Sequence, residues 1–332
     1  MANPERAFAI VGLGRMGGNL ARQALGKGMR VVGHARRGPP AGLLDDGLEF
    51  IERIEDVAHA LAQPRRVLLY VPAGRAIDDL LHRLRRVLDP GDVVVDGGNS
   101  YWGDSIRRHR RLRRSGIAFV DAGTSGGLQG ARDGACFMVG GEEPAVACVA
   151  PILKELACDG GFVHAGPPGS GHFVKLVHNG IEFGMLQAIG EGVDLLEHCP
   201  APLPIADILR TWRHGSVIRS WLIELMEQAY RNQHGLTSVP SHVEDTGEVN
   251  WLVDDALHME VAIPVIAQSV LQLLASRDRE RYPARVVGML RHGFGGHPYG
   301  RDERIARERA CGRVGAYRPF GHAPRDHEPG CE

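Results

Sequence analysis

The chain has 332 residues, enough for two buried cores, with 43 % apolar residues and a formal net charge of −1. That near-neutral balance excludes nucleic acid as the main partner, because gripping phosphates needs a basic surplus. No apolar run is long enough to span a bilayer. Six cysteines show neither metal-ligand pairing nor disulfide-scaffold density, and the N-terminus enters a strand with no room for a signal peptide, so a cytoplasmic setting is expected.

Residues 7–11 (Ala-Phe-Ala-Ile-Val) predict a short buried strand, followed at once by Gly12-Leu13-Gly14-Arg15-Met16-Gly17. Helical periodicity covers 16–26, and Val31-Val32-Gly33 predicts a second strand. This order gives a Gly-x-Gly-x-x-Gly run its meaning as a dinucleotide-binding loop. Gly12 permits the tight turn, Gly14 admits a pyrophosphate to the helix N-terminus, and Gly17 lets helix and strand pack closely. An acid ending the second strand would hold the ribose hydroxyls of NAD. Gly33-His34-Ala35-Arg36-Arg37 has none, and Arg36 and Arg37 suit the 2′-phosphate of NADP. NADP is therefore the expected cofactor, with NAD the alternative.

Apolar runs at 67–71, 93–96, 118–120, 136–139 and 162–164 alternate with helical stretches. They predict an α/β sheet, parallel at least in its first part. Val71-Pro72-Ala73-Gly74, Asp96-Gly97-Gly98-Asn99-Ser100 and Thr124-Ser125-Gly126-Gly127 follow strand ends, where open α/β sheets place ligands. Glycines there bring backbone amides close to a substrate, while Asn99 and Ser125 offer side-chain hydrogen bonds. The run Arg107, Arg108, Arg110, Arg111, Arg113 and Arg114 predicts a solvated helix face.

A long helix is predicted from Ser170 to about Glu197. Lys175, His178, Asn179 and Glu182 fall at about 0°, 300°, 40° and 340° around its axis, forming one polar stripe. Phe173, Val174, Val177 and Ile181 lie mainly opposite, toward an expected core. Gly180 and Gly184 suggest close approach by another backbone. Lysine is rare here (Lys27, Lys154 and Lys175 only), which sets Lys175 apart, since arginine cannot accept a proton near neutral pH. The rest is largely helical, at 205–213, 217–230, 250–260 and 264–275.

In that order, GLGRMGGNL, VPAG, DGGNS, SGGLQGARDG, GHFVKLVHNGIE and RHGFGGH match 6-phosphogluconate dehydrogenases. Over about residues 7–300 the chain resembles the short bacterial form of that family, within the β-hydroxyacid dehydrogenase superfamily. The resemblance implies an α/β Rossmann-type N-terminal domain (1–166), then an all-α substrate and dimerisation domain (167–300); residues 301–332, rich in charge, Gly and Pro, predict a polar tail, surface-hugging or disordered. It implies NAD(P)-dependent oxidative decarboxylation of 6-phosphogluconate or a related sugar acid, in gluconate metabolism, without a metal. Lys175 would be the general base and Glu182 the general acid; His178 and Asn179 would orient substrate and cofactor. Residues 12–17, Val71, Pro72, Ala73 and Asn99 would contact the cofactor. Asn99, Ser125, Gly126 and Gly127 would hold the carboxylate end. Arg291 and His297 would reach the neighbouring subunit's site in a homodimer.

Three positions depart from the family pattern where it binds the substrate phosphate. Phe183 replaces a tyrosine, Asn250 a basic residue and Leu273 an arginine. At about 1.5–3 kcal/mol per charge-assisted contact, these losses weaken phosphate binding by about 4–7 kcal/mol, on the order of 10³-fold or more. A hydroxy acid with a different or absent phosphate is therefore expected, the alternative being a phosphate grip restored by nearby Arg210, Arg219 or Arg277. Two other readings stay open: a non-decarboxylating β-hydroxyacid dehydrogenase, which does not require an acid at Glu182, and a catalytically idle NADP-binding sensor. The complete polar stripe argues against the sensor.

Overall fold

The computed structural model describes residues 6–304 and 306. The chain forms two compact units, one running through Ile181 and including Thr246–Ile263, the other comprising Glu182–Asp245 and the described chain from Pro264.

The first unit alternates β1 (Ala7–Val11), α1 (Arg15–Gly26), β2 (Arg30–His34), β3 (Glu49–Phe50), α2 (Val57–Ala60), β4 (Arg66–Leu69), α3 (Arg75–Leu84) and β5 (Val93–Asp96). It continues with α4 (Trp102–Arg113), β6 (Ala118–Ser125), α5 (Gly127–Asp133), β7 (Ala135–Gly140), α6 (Glu143–Leu156) and β8 (Ala157–Gly166). The long helix α7 (Ser170–Glu197) follows, and the unit boundary falls within it.

All strands join one sheet in the order β3-β2-β1-β4-β5-β6-β7-β8. Pairing is parallel from β3 to β6, as expected; β7 then runs antiparallel to β6, and β8 parallel to β7. Strand residues bury alternately on two faces. Phe8, Ile10, Leu68, Val95 and Val120 enter one apolar cluster, and Ala9, Val11, Leu69, Val94 and Phe119 the other. Covering both faces explains why the strands read as unbroken apolar runs, each large side chain contributing roughly 1.5–3 kcal/mol.

The second unit holds the end of α7 with α8 (Ile205–Trp212) and α9 (Trp221–Asn232) around Val193, Ile205 and Leu209. The chain then returns to the first unit for α10 (Glu248–His258) before α11 (Pro264–Arg277) and α12 (Tyr282–Gly295) complete the second. The helix expected at 217–230 starts instead at Trp221, where Ser220 Oγ accepts the amide of Ile223 as an N-cap; Val217 is left 98 % exposed. Helix α12 was not foreseen, because Gly288 and Gly293 dilute its helical signal. Val174 and Ile181 do not face a core but are exposed, and Gly184 meets only the Val265 side chain at ordinary contact distance. Among the described residues no helix is long and apolar enough to cross a membrane. Most of the 301–332 tail lies outside the described residues.

Candidate active site

Strand β1 lies between β2 and β4, so the chain leaves its carboxyl end where strand order reverses. Gly12 sits there at φ +94°; a Cβ on it would stand 2.3 Å from the Tyr70 carbonyl oxygen, and one on Gly17 would stand 2.0 Å from that of Gly12. Gly14 differs, with nothing within 4 Å of a Cβ position. It begins α1 with no side-chain cap, so the first-turn amides of Arg15, Met16 and Gly17 have no such acceptor. An open approach with uncapped amides fits a dinucleotide pyrophosphate. Leu13 can offer only backbone, its side chain being 4 % exposed within the core. The Gly12 amide donates to the His34 carbonyl, tying the loop to the end of β2, beyond which Arg36 and Arg37 are exposed.

The next two loops pack against this one and each other. A Cβ on Gly12 would also meet Val71, while one on Gly98 would lie 3.0 Å from the Val71 oxygen. Pro72 is exposed and Ala73 half-buried. Fully buried Asp96 organises the 96–100 loop, accepting from the Gly98 amide (3.1 Å) and Ser100 Oγ (2.8 Å). Arg108 donates to Asp96 Oδ2 (3.3 Å), Ser100 Oγ (3.2 Å), the Gly74 carbonyl (3.0 Å) and Asp78 (3.1 Å). At 1 % exposure it is no part of a solvated face, a correction to the reading of the arginine run. Five other arginines lie between positions 107 and 114, so nothing in the run distinguished it. Just beyond, Tyr101 and Trp102 both donate to buried Asp255 of α10, at 3.0 and 2.6 Å. Burial, then that carboxylate, pushes the Tyr101 phenol up to about 12.

Helix α7 is fixed at its start by Asp121 of β6, whose carboxylate, fully buried, accepts from the amides of Gly169 (2.7 Å) and His172 (2.9 Å). A Cβ on Gly171 would stand 2.5 Å from the carbonyl oxygens of Asp121 and Met138, so the helix starts directly on β6 and β7. One turn on, the Lys175 stem crosses β6 over Gly123, where a Cβ would lie 2.4 Å from Lys175 Cβ.

Lys175 Nζ is 3.3 Å from His178 Nδ1, and His178 Nε2 is 3.1 Å from Ser125 Oγ. His178 Nδ1 is also 3.4 Å from Asn179 Oδ1, so the imidazole bridges the amine, the amide and the Ser125 hydroxyl. Asn179, 8 % exposed, donates to Asn99 Oδ1 at 3.3 Å. Lys175, His178, Asn179, Asn99 and Ser125 are thus brought together, as the stripe and loops suggested. Gly126 and Gly127, at φ +109° and +58°, turn the chain from β6 into α5. Sequence reading missed Cys136, which pairs in register with Ser125 on the neighbouring strand. Burial and then Cys158 push its thiol up, with Lys175 opposing. Glu182 follows Asn179 by one turn of α7 and is the first residue of the second unit. Arg291, exposed on α12, and His297, whose ring meets Phe294 edge-on at 5.9 Å, also belong to that unit.

A glycine cradle for a dinucleotide, opening on a sheet edge that also carries an amine hydrogen-bonded to an imidazole, defines a nicotinamide-dependent oxidoreductase. Comparison with known proteins narrows the class. Residues 7–166 match the NAD binding domain of 6-phosphogluconate dehydrogenase, and 171–282 and 202–311 match its C-terminal domain. The chain is 39 % identical over 291 residues to a putative 6-phosphogluconate dehydrogenase of Bacillus subtilis, covering 87 % of this chain and 98 % of that one. It is 40 % identical over 299 residues to the NAD(+)-dependent, decarboxylating 6-phosphogluconate dehydrogenase of Haloferax volcanii, covering 89 % and 99 %. The fold matches that of Plasmodium falciparum 6-phosphogluconate dehydrogenase with a TM-score of 0.76 at 24 % identity, over 92 % of this chain and 70 % of that one. The chain belongs to the 6-phosphogluconate dehydrogenase family, in its short form, and is an NAD(P)-dependent, decarboxylating oxidoreductase of that kind.

Proposed function

We propose that the chain oxidises a β-hydroxy sugar acid at C3 and releases its carboxylate as CO₂, with Lys175, His178, Asn179 and Glu182 in the catalytic roles. The observation that carries this is the connected set Asn99–Asn179 and Ser125–His178–Lys175 at the carboxyl edge of the sheet, beside the open glycine cradle. When bound, NAD(P) supplies the hydride acceptor. Neutral Lys175 takes the proton of the C3 hydroxyl. As an ammonium it then donates to the new ketone oxygen, drawing the electron pair of the breaking C–carboxylate bond toward that oxygen. Glu182 returns a proton to the enediol carbon. His178, braced by Ser125, keeps the amine in place, while Asn99, Ser125 and the amides of Gly126 and Gly127 hold the carboxylate end.

Three finer statements belong to this reading. NADP is preferred over NAD, because Arg36 and Arg37 have no carboxylate partner among the described residues and no acid ends β2. The substrate's distal end is held without the phosphate grip that the resemblance implies, since Phe183, Asn250 and Leu273 offer neither cation nor hydroxyl. The chain works as a homodimer in which Arg291 and His297 serve the partner's site. The many large apolar side chains exposed on α11 and α12, Val265, Leu271, Val287, Leu290 and Phe294 among them, support a second copy.

A screen of sugar acids, phosphorylated and not, with both nucleotides tests the proposal. Reduced nucleotide should form one-for-one with trapped CO₂, and Lys175→Met should lower turnover by about 10³-fold. Reduction without CO₂ would indicate the non-decarboxylating enzyme, and no turnover of any hydroxy acid would indicate the sensor. Ordinary dehydrogenase efficiency on 6-phosphogluconate would refute the altered distal site.

A further inference from the structure

We infer that Arg108 is a positioning residue that sets the gap between the 71–74 and 96–100 loops and thereby tunes nucleotide affinity. The inference rests on the proposal that these loops flank the bound dinucleotide. One guanidinium end, Nη2, donates to the Gly74 carbonyl, where the chain turns at φ +84° into α3. The other end, Nη1, is shared between Asp96 Oδ2 and Ser100 Oγ. Nε meanwhile holds Asp78 on α3. Each end of the planar fork therefore serves a different loop, which the single ammonium of lysine cannot reproduce.

Two further observations lead from this clamp toward the chemistry. Asp96 and Ser100 bracket Asn99, whose side chain accepts from Asn179 on α7. Gly98, inside the same loop, packs on the Val71 carbonyl, so a change in the gap is felt by both loops at once. Burying an arginine is costly unless all its donors are engaged, and a purely structural need here would be met as well by an apolar side chain. Acidic groups face it from three elements, Asp78 on α3, Asp96 on β5 and Asp104 on α4, with Arg107 sharing Asp78 and Asp104. The proposed function assigns none of these groups a contact with substrate, so the action inferred here is through loop spacing.

The test uses full-length protein titrated with NADP and with NAD by calorimetry, together with steady-state kinetics and melting temperatures. Arg108→Lys keeps the charge but loses the fork, and should raise the nucleotide Kd and KM about tenfold, the scale of one charge-assisted contact. Because Asn99 rides on the same loop, the sugar-acid KM at saturating nucleotide should rise as well, but by less than the nucleotide Kd. Ser100→Ala removes the shared hydroxyl without touching a charge, and should raise the nucleotide Kd about threefold. Val94→Ala, a cavity on a buried face of the same sheet, should lower the melting temperature with the nucleotide Kd unchanged. Unaltered nucleotide binding in Arg108→Lys overturns the inference; if that variant does not fold, unaltered binding in Ser100→Ala does so. Equal loosening in Val94→Ala overturns it too. Wild-type protein that binds neither nucleotide would instead defeat the underlying proposal.

Discussion

Replacing Gly123 by alanine is the sharpest test of how α7 delivers its amine. The new methyl would stand 2.4 Å from Lys175 Cβ, 2.9 Å from the Gly171 oxygen and 3.1 Å from Lys175 Cγ. Carbon atoms rest about 3.5–4.0 Å apart, so the lysine stem must retreat by more than about one ångström. Helix α7 cannot absorb this by sliding, because Asp121 and the packing of Gly171 fix its start. Overpacking of this kind costs about 1–3 kcal/mol of stability, which is a fall of several degrees in melting temperature for a unit of this size. A catalytic group displaced by about 1 Å loses on the order of 10²-fold in rate. The expected result is a kcat reduced about 10²-fold, measured as nucleotide reduction at saturating substrates, with nucleotide Kd within about twofold of wild type. A variant that melts lower yet turns over at the wild-type rate would refute the placement of Lys175 over β6.

Two further substitutions test the supporting structure. Asp121→Asn can accept only one of the two amides now shared between Gly169 and His172; it should lose about 2 kcal/mol, the worth of one charge-assisted bond, and an unchanged melting temperature would contradict the capping role. Glu55 is held down to about 2 chiefly by hydrogen bonds from Arg83, against opposing desolvation. Its contribution is therefore present above its ordinary value of 4.5 and disappears as pH falls toward about 2. The pair is partly exposed and worth at most ~1 kcal/mol, so the melting difference between wild type and Glu55→Gln should be small at pH 7 and vanish across that acid window; a difference that widens on acidification would show the sign to be wrong.

The parts of this protein that are legible in sequence are those governed by local rules. The glycine loop between two strands, the strand-end loops and the period of α7 each declare themselves within a few residues, and the scarcity of lysine marks Lys175. What sequence hides depends on distant partners. Asp121 caps a helix 48 residues later in the chain, and Asp255 anchors Tyr101 and Trp102 from 154 and 153 residues away; no local spacing announces either. Arg108 is indistinguishable in composition from exposed neighbours until Asp96 and Gly74 close around it. The reversal of β7 is equally silent, because strand direction is set by connections and not by the apolar pattern. Val174 and Ile181 show the opposite failure: a helical face can be apolar without meeting a core in its own chain.

The unequal circumstances of Gly12, Gly14 and Gly17 also bear on how such fingerprints are read in other chains. Two of them are locked by contacts the fold makes with itself, so a descendant that had abandoned its cofactor would still be obliged to keep them, whereas Gly14 would be released to drift. Most of the motif can thus outlive its ligand, and the middle glycine is the letter whose retention speaks for continued use.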